Sequence, residues 1–437
     1  MFAGRGSLEE VAMLIERQDK DKGPGGQQVR EAVVEFFAQN DYSGKRVLLL
    51  IPDNTRSGPV GDVFKEIFDC IGKKAKAVDI LVALGTHQPM SEEQICSRLT
   101  ITAGERSGKY SSIRFFNHEW DRPETFISIG EITAKEIEEI SGGLFCEQVD
   151  VAVNKMIFDY DEFFILGPVF PHEVVGFSGG HKYIFPGIAG SEIINFFHWL
   201  GAVVTNPRIN GNKWTPTRKV VERAASFVKK PRKLFAIVAV EDELKGIFIG
   251  DCVEAWEKAA ELSGKVHIVY KDKPYETVLG ITPKMYDDMW TAGKVMYKLE
   301  PIVADGGTLI IYAPHIDEIS YTHGENIGQV GYHTRDYFLK QMDKFAGIPR
   351  AVLAHSTHVK GIGTYIDGVE RPRINVVLAT GIGKGCCEKV NLGYMDYKQI
   401  NTADYENRED EGVLVVQHAG EVLYRLSGGY IPSIPNE

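Results

Sequence analysis

Along the chain, short runs of apolar and β-branched residues alternate with longer helix-like stretches. "RVLLLI" (46–51), "AVDILVALG" (77–85), "DEFFILG" (161–167), "KLFAIVAV" (233–240) and "KVHIVY" (265–270) are the first five runs. That alternation marks parallel strands covered by helices on both faces. The pattern restarts at "GGTLIIYAP" (306–314), "PRAVLAHS" (349–356), "RINVVLATG" (373–381) and "GVLVVQH" (412–418). The expected fold class is therefore α/β, with two α/β domains of mostly parallel sheets: an N-terminal domain over 1–272 and a C-terminal domain over 273–409, parted near "YKDKPYETVLGITPK" (270–284). "ADYENREDEG" (403–412) reads as a polar connector, after which residues 410–437 are expected to return toward the first domain. A chain of 437 residues is too long for one ordinary core, in keeping with this division.

Composition narrows the function classes. With 49 Lys and Arg against 60 Asp and Glu, the formal charge of -11 offers no broad basic field, so nucleic acid is not an expected partner. A charged small substrate would be met by a few local Lys and Arg side chains. The six cysteines show no CxxC spacing, which fits a reducing cytoplasm better than a disulfide framework. The N-terminal "MFAGRGSLEEVAMLIERQDKDKG" lacks an apolar signal core, and no run of eighteen apolar residues occurs, so a cytoplasmic protein without membrane contact is expected.

In open parallel sheets, ligands bind beyond the carboxyl ends of the strands. The first strand ends in "PDNTR", offering Asp53, Thr55 and Arg56; the next ends in "GTH", offering His87; a third runs through "LGPVF" to His172 and a glycine loop. Each has a plainer reading alone. Asp-Asn after a strand is commonly a turn, and His87 precedes "SEEQ", a capping box opened by Ser91. The stretch "FPHEVVGFSGGHKYIFPGIAGSEIINFFH" (170–198) is the richest in chemistry. "HEVVG" has Gly176 where a zinc helix needs its second histidine, and "GFSGGHK" is short for a P-loop, with Tyr183 in place of the magnesium-binding hydroxyl. What remains is generic: Ser178, Gly179 and Gly180 let backbone N–H groups approach an anion, and Lys182 adds charge or a nucleophilic amine. "GSEIINFFH" is helix-like and carries His198 into the same region, although a lone histidine on an apolar helix is more often a packed core residue. "ATGIGKGCC" (379–387) lacks the full dinucleotide fingerprint. "HSTH" (His355, His358) and "YAPHIDEISYTHG" (His315, Asp317, Glu318, His323) fit no metal template and read as solvated loop residues.

Taken in order, "PDNTR", "GTH", "PHEVVGFSGGHKYIFPGI" and "FFH" resemble the nickel-dependent lactate racemase family. In that family's pattern a histidine stands ten residues ahead of the loop lysine and another sixteen beyond it, the spacing kept by His172, Lys182 and His198. The resemblance covers the whole chain and places the active site in the interdomain cleft. It implies a racemase or epimerase that inverts C2 of a 2-hydroxy acid by hydride transfer. The cofactors it implies are nickel and a pyridinium-3,5-bisthiocarboxylic acid mononucleotide, the nickel-pincer nucleotide, attached covalently to Lys182, with His198 as metal ligand. Such a cofactor would be supplied by cofactor-synthesis proteins. By the same resemblance His87 and His172 are the paired acid and base, Arg56 binds the substrate carboxylate, and Asp53, Thr55, Ser178, Gly179 and Gly180 lie with the cofactor, Asp53 positioning its neighbours. Because nickel favours soft and imidazole donors and no cysteine cluster is present, sulfur would come from the cofactor.

The match departs in the second domain, where the family's Tyr-Gln-x-x-Lys segment is replaced by "WTAGK", which puts Trp290 and Thr291 at the first two places and keeps Lys294 as a carboxylate partner. Thr291 is smaller than glutamine, so a substrate larger than lactate is expected, such as an aldonate. The alternative is a lactate enzyme whose gap is filled by Trp290. Two readings of other classes also remain open: a Schiff-base enzyme acting through Lys182, and a non-enzymatic binder of an acidic metabolite.

Overall fold

The protein is described by a computed structural model over residues 14–433. The N-terminal stretch read for a signal core lies largely outside those residues. Two sheets organise the chain. The larger has seven strands in the order Ile15–Gln18, Glu243–Gly250, Arg232–Val240, Glu162–Pro168, Arg46–Ile51, Ala77–Val82 and Phe115–Asn117. The five from Arg232–Val240 to Phe115–Asn117 run parallel, and the two at the other edge are antiparallel. In the inner strand Arg46–Ile51, Leu48 and Leu50 bury one face into one core, and Val47, Leu49 and Ile51 the other face into a second. This is why "RVLLLI" shows no alternation. Arg46–Ile51 pairs with Ala77–Val82 on one side and Glu162–Pro168 on the other, so the strand order reverses there. The crevice at that reversal is where a ligand is expected.

The second sheet has five parallel strands in the order Gly393–Tyr394, Asn375–Thr380, Val303–Ala313, Tyr275–Ile281 and Val413–Val416. The α/β fold of mostly parallel sheets is as expected, with local departures. "YKDKPYETVLGITPK", read as the seam, contains the inner strand Tyr275–Ile281 of this sheet. Val413–Val416 lies in the second sheet, and Leu423–Leu426 pairs with Ile268–Lys271 beside Pro207, whose carbonyl accepts from Arg425 at 3.0 Å. "KVHIVY" is split between the end of the Cys252–Val266 helix and that strand. "PRAVLAHS", expected as a strand, is the helix Arg350–Lys360. Its residues 352–359 are all buried, so no polar face imposes a 3.6-residue period, and a short run buried all round cannot be told from a strand by pattern.

Candidate active site

The reversal crevice opens into a cavity of about 160 Å³ between the two sheets' domains. Asp53 and Arg56 reach it from the loop after Arg46–Ile51, and His87 from the turn after Ala77–Val82. His172, Ser178, Gly179 and Lys182 come from the chain after Glu162–Pro168. His198 projects from the helix Ser191–Val204, and Trp290, Thr291 and Lys294 close the cavity from the second domain. These eleven residues are brought together from positions up to 241 apart in the chain. Thr55 and Gly180, expected beside them, do not form the wall.

Asp53 is a positioning group. Its Oδ1 accepts from the Thr55 N–H at 3.0 Å and hydroxyl at 2.7 Å, while Oδ2 meets His87 Nδ1 at 2.5 Å. Burial would raise this carboxyl, but His87 and Arg56 outweigh it and hold it well below the usual range. A carboxylate can only accept, so His87 Nδ1 carries a proton, and in the uncharged form of that tautomer the lone pair is on Nε2. The Thr55 hydroxyl also receives Arg56 Nη1 at 2.8 Å, so Thr55 spends its polar groups inside this cluster. Its carbonyl takes Arg56 Nη1 at 2.9 Å and Lys294 Nζ at 3.2 Å, tying both carboxylate-binding candidates to one point across the domain boundary.

His172 sits in a two-residue ladder, Pro171–His172 against Gly176–Phe177. Its Nδ1 accepts the Val174 N–H at 3.1 Å, and Glu173 Oε2 lies 3.3 Å from the same nitrogen. Burial, then Lys182, Arg56 and Lys298, press its pKa well below the ordinary value, so the ring is neutral. His198 donates Nδ1–H to the Ile194 carbonyl one turn earlier, at 2.7 Å. Burial lowers its pKa to about 4. A neutral imidazole with one N–H fixed on a backbone carbonyl and the other nitrogen bare is the form that binds metals. Lys182 lies in the short turn Gly180–Tyr183, where burial and then Arg56 push its pKa down to about 8. That leaves an appreciable share of free amine near neutrality.

The glycine loop is held from behind. Trp256 Nε1 donates to the Ser178 carbonyl at 2.8 Å and Arg218 Nη1 to that of Gly179 at 3.0 Å. The Ser178 hydroxyl donates to the Pro168 carbonyl and accepts from the Phe170 N–H, so it is committed within the loop. Gly179 has φ +82° and a Cβ there would stand 2.4 Å from Val169. At Gly180, φ +58°, a Cβ would press on Arg218, whose guanidinium stacks 3.5 Å from the Trp256 ring. Gly180 thus serves close packing rather than the cavity surface.

Sequence reasoning missed three contributors. Lys298 is buried, donates to the Pro171 carbonyl, and is pushed down to about 8 by burial. Nothing in "KVMYKLE" distinguishes it from a surface lysine. His355 and His358, read as solvated, are 6% and 4% exposed and belong to the cavity wall. The signal that would have found them is their i, i+3 spacing on a helix, visible only once the helix is recognised. The glycine turn "ATGIGKGCC" does not reach the cavity. Among the described residues no helix is long and apolar enough to cross a membrane.

Fold and site together define an α/β protein of two main, mostly parallel sheets with a lysine- and histidine-lined cavity. The lactate racemase N-terminal domain model matches residues 28–210, which contain the DNTR, GTH and SGGHK elements and His198. Lactate racemase of Thermoanaerobacterium thermosaccharolyticum is 26% identical over 280 residues, 62% of this chain and 61% of that protein. The lactate racemase of Lactiplantibacillus plantarum is 27% identical over 280 residues, 61% of this chain and 59% of that protein. The match thus spans about three fifths of the length of these curated relatives. A crystal structure of a Thermotoga maritima protein superposes with a TM-score of 0.86 at 31% identity, covering 94% of this chain and all of that one. The lactate racemase apoprotein from Thermoanaerobacterium thermosaccharolyticum shares the fold, with a TM-score of 0.64 at 18% identity over 91% of this chain and 93% of that one. Residues 28–210 of the chain match the lactate racemase N-terminal domain, and the whole chain shares its fold with solved structures that cover nearly all of it.

Proposed function

We propose that the protein inverts C2 of a 2-hydroxy acid with nickel and a pyridinium-3,5-bisthiocarboxylic acid mononucleotide joined to Lys182. One observation carries the reading: a bare-Nε2 imidazole at His198 and a partly deprotonated amine at Lys182 line the same cavity. The donor set fits the group, since imidazole suits nickel and no cysteine lines the cavity to compete with sulfur brought by the nucleotide. Lys182 would hold the nucleotide and His198 the nickel. When bound, this group supplies an electron-poor ring that takes up the C2 hydrogen as hydride and gives it back.

The chain's own residues do the rest. Arg56 and Lys294 bind the substrate carboxylate, the guanidinium fork fixing its plane. His87 Nε2 takes the hydroxyl proton as the C2–H bond breaks, leaving a planar 2-keto acid. Asp53 stabilises the resulting imidazolium. His172, neutral in the free protein, takes a proton from solvent once the substrate anion is bound and supplies it to the keto oxygen when hydride returns to the opposite face, and the roles reverse for the other C2 configuration. Trp290, aromatic and wedged between His355 and His323, limits water at the reacting carbon. Thr291 leaves room for a chain longer than lactate's, which favours a sugar acid such as an aldonate. Maturation by cofactor-synthesis proteins belongs to the same proposal.

The test is epimerisation in heavy water with holoprotein, followed by NMR. Retention of the C2 hydrogen in the product is expected, and deuterium at C2 would overturn hydride return. Comparing kcat/KM for gluconate and lactate tests the substrate. A clear preference for lactate ends the larger-substrate reading.

A further inference from the structure

The helix Arg350–Lys360 brings two histidines to the cavity that the chemistry above does not use. The Asn195 side chain accepts the Ala351 N–H at 2.9 Å, docking the start of this helix on Ser191–Val204. His198 follows Asn195 by three positions, and His355 follows Ala351 by four, so each lies one turn beyond the contact. His358 is three residues further along the same face, and Ala351, His355, His358 and His198 all line the cavity.

Both rings are held in place and incompletely satisfied. His355 stacks on Trp290 with centroids 3.7 Å apart and planes 19° apart, and its Nδ1 pairs with the Tyr297 hydroxyl at 2.8 Å. Its Nε2 is buried without a hydrogen-bond partner, and so is Nε2 of His358. Buried polar atoms are nearly always paired, so two orphans in one cavity wall call for a ligand. Burial keeps both rings neutral. A neutral imidazole exchanges hydrogen bonds with hydroxyls and offers no charge to a second carboxylate.

We propose that His355 and His358 form a subsite for the hydroxyl groups of a polyhydroxylated 2-hydroxy acid, beyond its C2. This rests on the larger-substrate reading and deepens it by naming the groups that select the chain. Arg56 and Lys294 hold the carboxylate end, whereas the second-domain helix meets the distal end. Lactate, with a methyl at C3, would leave both nitrogens unpaired. A site built to pair hydroxyls rejects an analogue lacking them far more strongly than an apolar pocket rejects a missing methylene.

Calorimetric titration of the holoprotein with gluconate and with lactate tests the subsite. His355→Phe keeps the stack on Trp290, His358→Leu removes the second nitrogen, and His358→Gln restores a polar group there. The wild type is expected to bind gluconate at least tenfold more tightly than lactate. Each apolar variant should reduce that preference about tenfold, and His358→Gln should recover part of it, at unchanged melting temperature. Equal affinity for the two acids in the wild type, or a preference that survives both apolar variants, overturns the subsite. An apolar variant that fails to fold leaves the wild-type comparison and His358→Gln to decide. Binding without inversion would count against the proposed reaction and leave the subsite standing.

Discussion

Asp53→Asn is the sharpest perturbation of the proposed chemistry, because the structure fixes which way the new amide must face. The Thr55 N–H and hydroxyl both donate to Oδ1 and would keep the amide oxygen on their side. The amide NH2 then falls where Oδ2 now meets His87 Nδ1 at 2.5 Å. A donor in that place forces Nδ1 to accept, moving the ring proton to Nε2 and removing the lone pair that would take the hydroxyl proton. Loss of a hydrogen bond to a charged group is worth about 1.5–3 kcal/mol, a factor of roughly 10 to 150 in rate. The tautomer error adds to it: the corresponding change in a Ser-His-Asp triad costs about 10⁴ in kcat. A fall in kcat between roughly 10² and 10⁴ is therefore expected. The fall in kcat/KM should be equal in both directions, since the substitution leaves the energies of free substrate and product untouched. Initial rates from each C2 epimer by chromatography, alongside nickel content and melting temperature, measure it. A variant within threefold of wild type refutes the assignment of His87 as an Asp53-poised base. So does a loss of rate that tracks a loss of nickel.

Three further outcomes follow from other parts of the molecule. His198→Ala should abolish stoichiometric nickel while the nucleotide mass on Lys182 remains; full nickel retention by elemental analysis would remove His198 from the metal. Arg56→Lys gives up the planar fork and its bonds to Thr55, so KM for the hydroxy acid should rise about 10- to 100-fold. An unchanged KM would place the carboxylate elsewhere. His118 and His267 lie outside the cavity with pKa values lowered by burial to about 4, below an unfolded value near 6.5. The unfolded chain binds protons more readily across that window, so their contribution is full above pH 6.5 and declines as pH falls toward 4. Together they should cost up to about 4 kcal/mol at pH 5. Urea denaturation at pH 7 and pH 5 checks this, and equal stability at the two would contradict it.

The legible parts of the fold were those where one physical constraint dominates. "RVLLLI" and "DEFFILG" are strands because both their faces are covered, and Ser91 caps a helix because its hydroxyl and the Gln94 side chain satisfy each other's backbone N–H groups. The cavity lining was readable where polar candidates cluster in short segments after strands, as with Asp53, His87 and Lys182. Arg350–Lys360 was not readable, because a helix buried all round carries no amphipathic signal, and its two histidines were lost with it. Lys298 was hidden for a related reason: its role depends on the Pro171 carbonyl, 127 residues away in sequence. Ser178 was expected to offer its backbone N–H to an anion, but that N–H already donates to the Phe170 carbonyl at 2.8 Å, which spacing alone does not reveal.

His87 and His172 are not equivalent in this structure, and the difference bears on how two-way inversion is set up. Asp53 asks one thing of His87: a proton on Nδ1. His172 Nδ1 has two neighbours with opposite demands, the Val174 N–H needing a bare nitrogen and the Glu173 carboxylate needing a protonated one. Only with Nδ1 protonated does Nε2 serve as a base for one enantiomer or, doubly protonated, as an acid for the other. Lys182, Arg56 and Lys298 oppose any added positive charge on this ring. In the proposed reaction a substrate carboxylate at Arg56 and a nucleotide phosphate would offset the cationic cluster and let Glu173 prevail at Nδ1. On that proposal His172 would be armed by the ligands it acts with, whereas Asp53 already holds a proton on His87 Nδ1 in the protein alone.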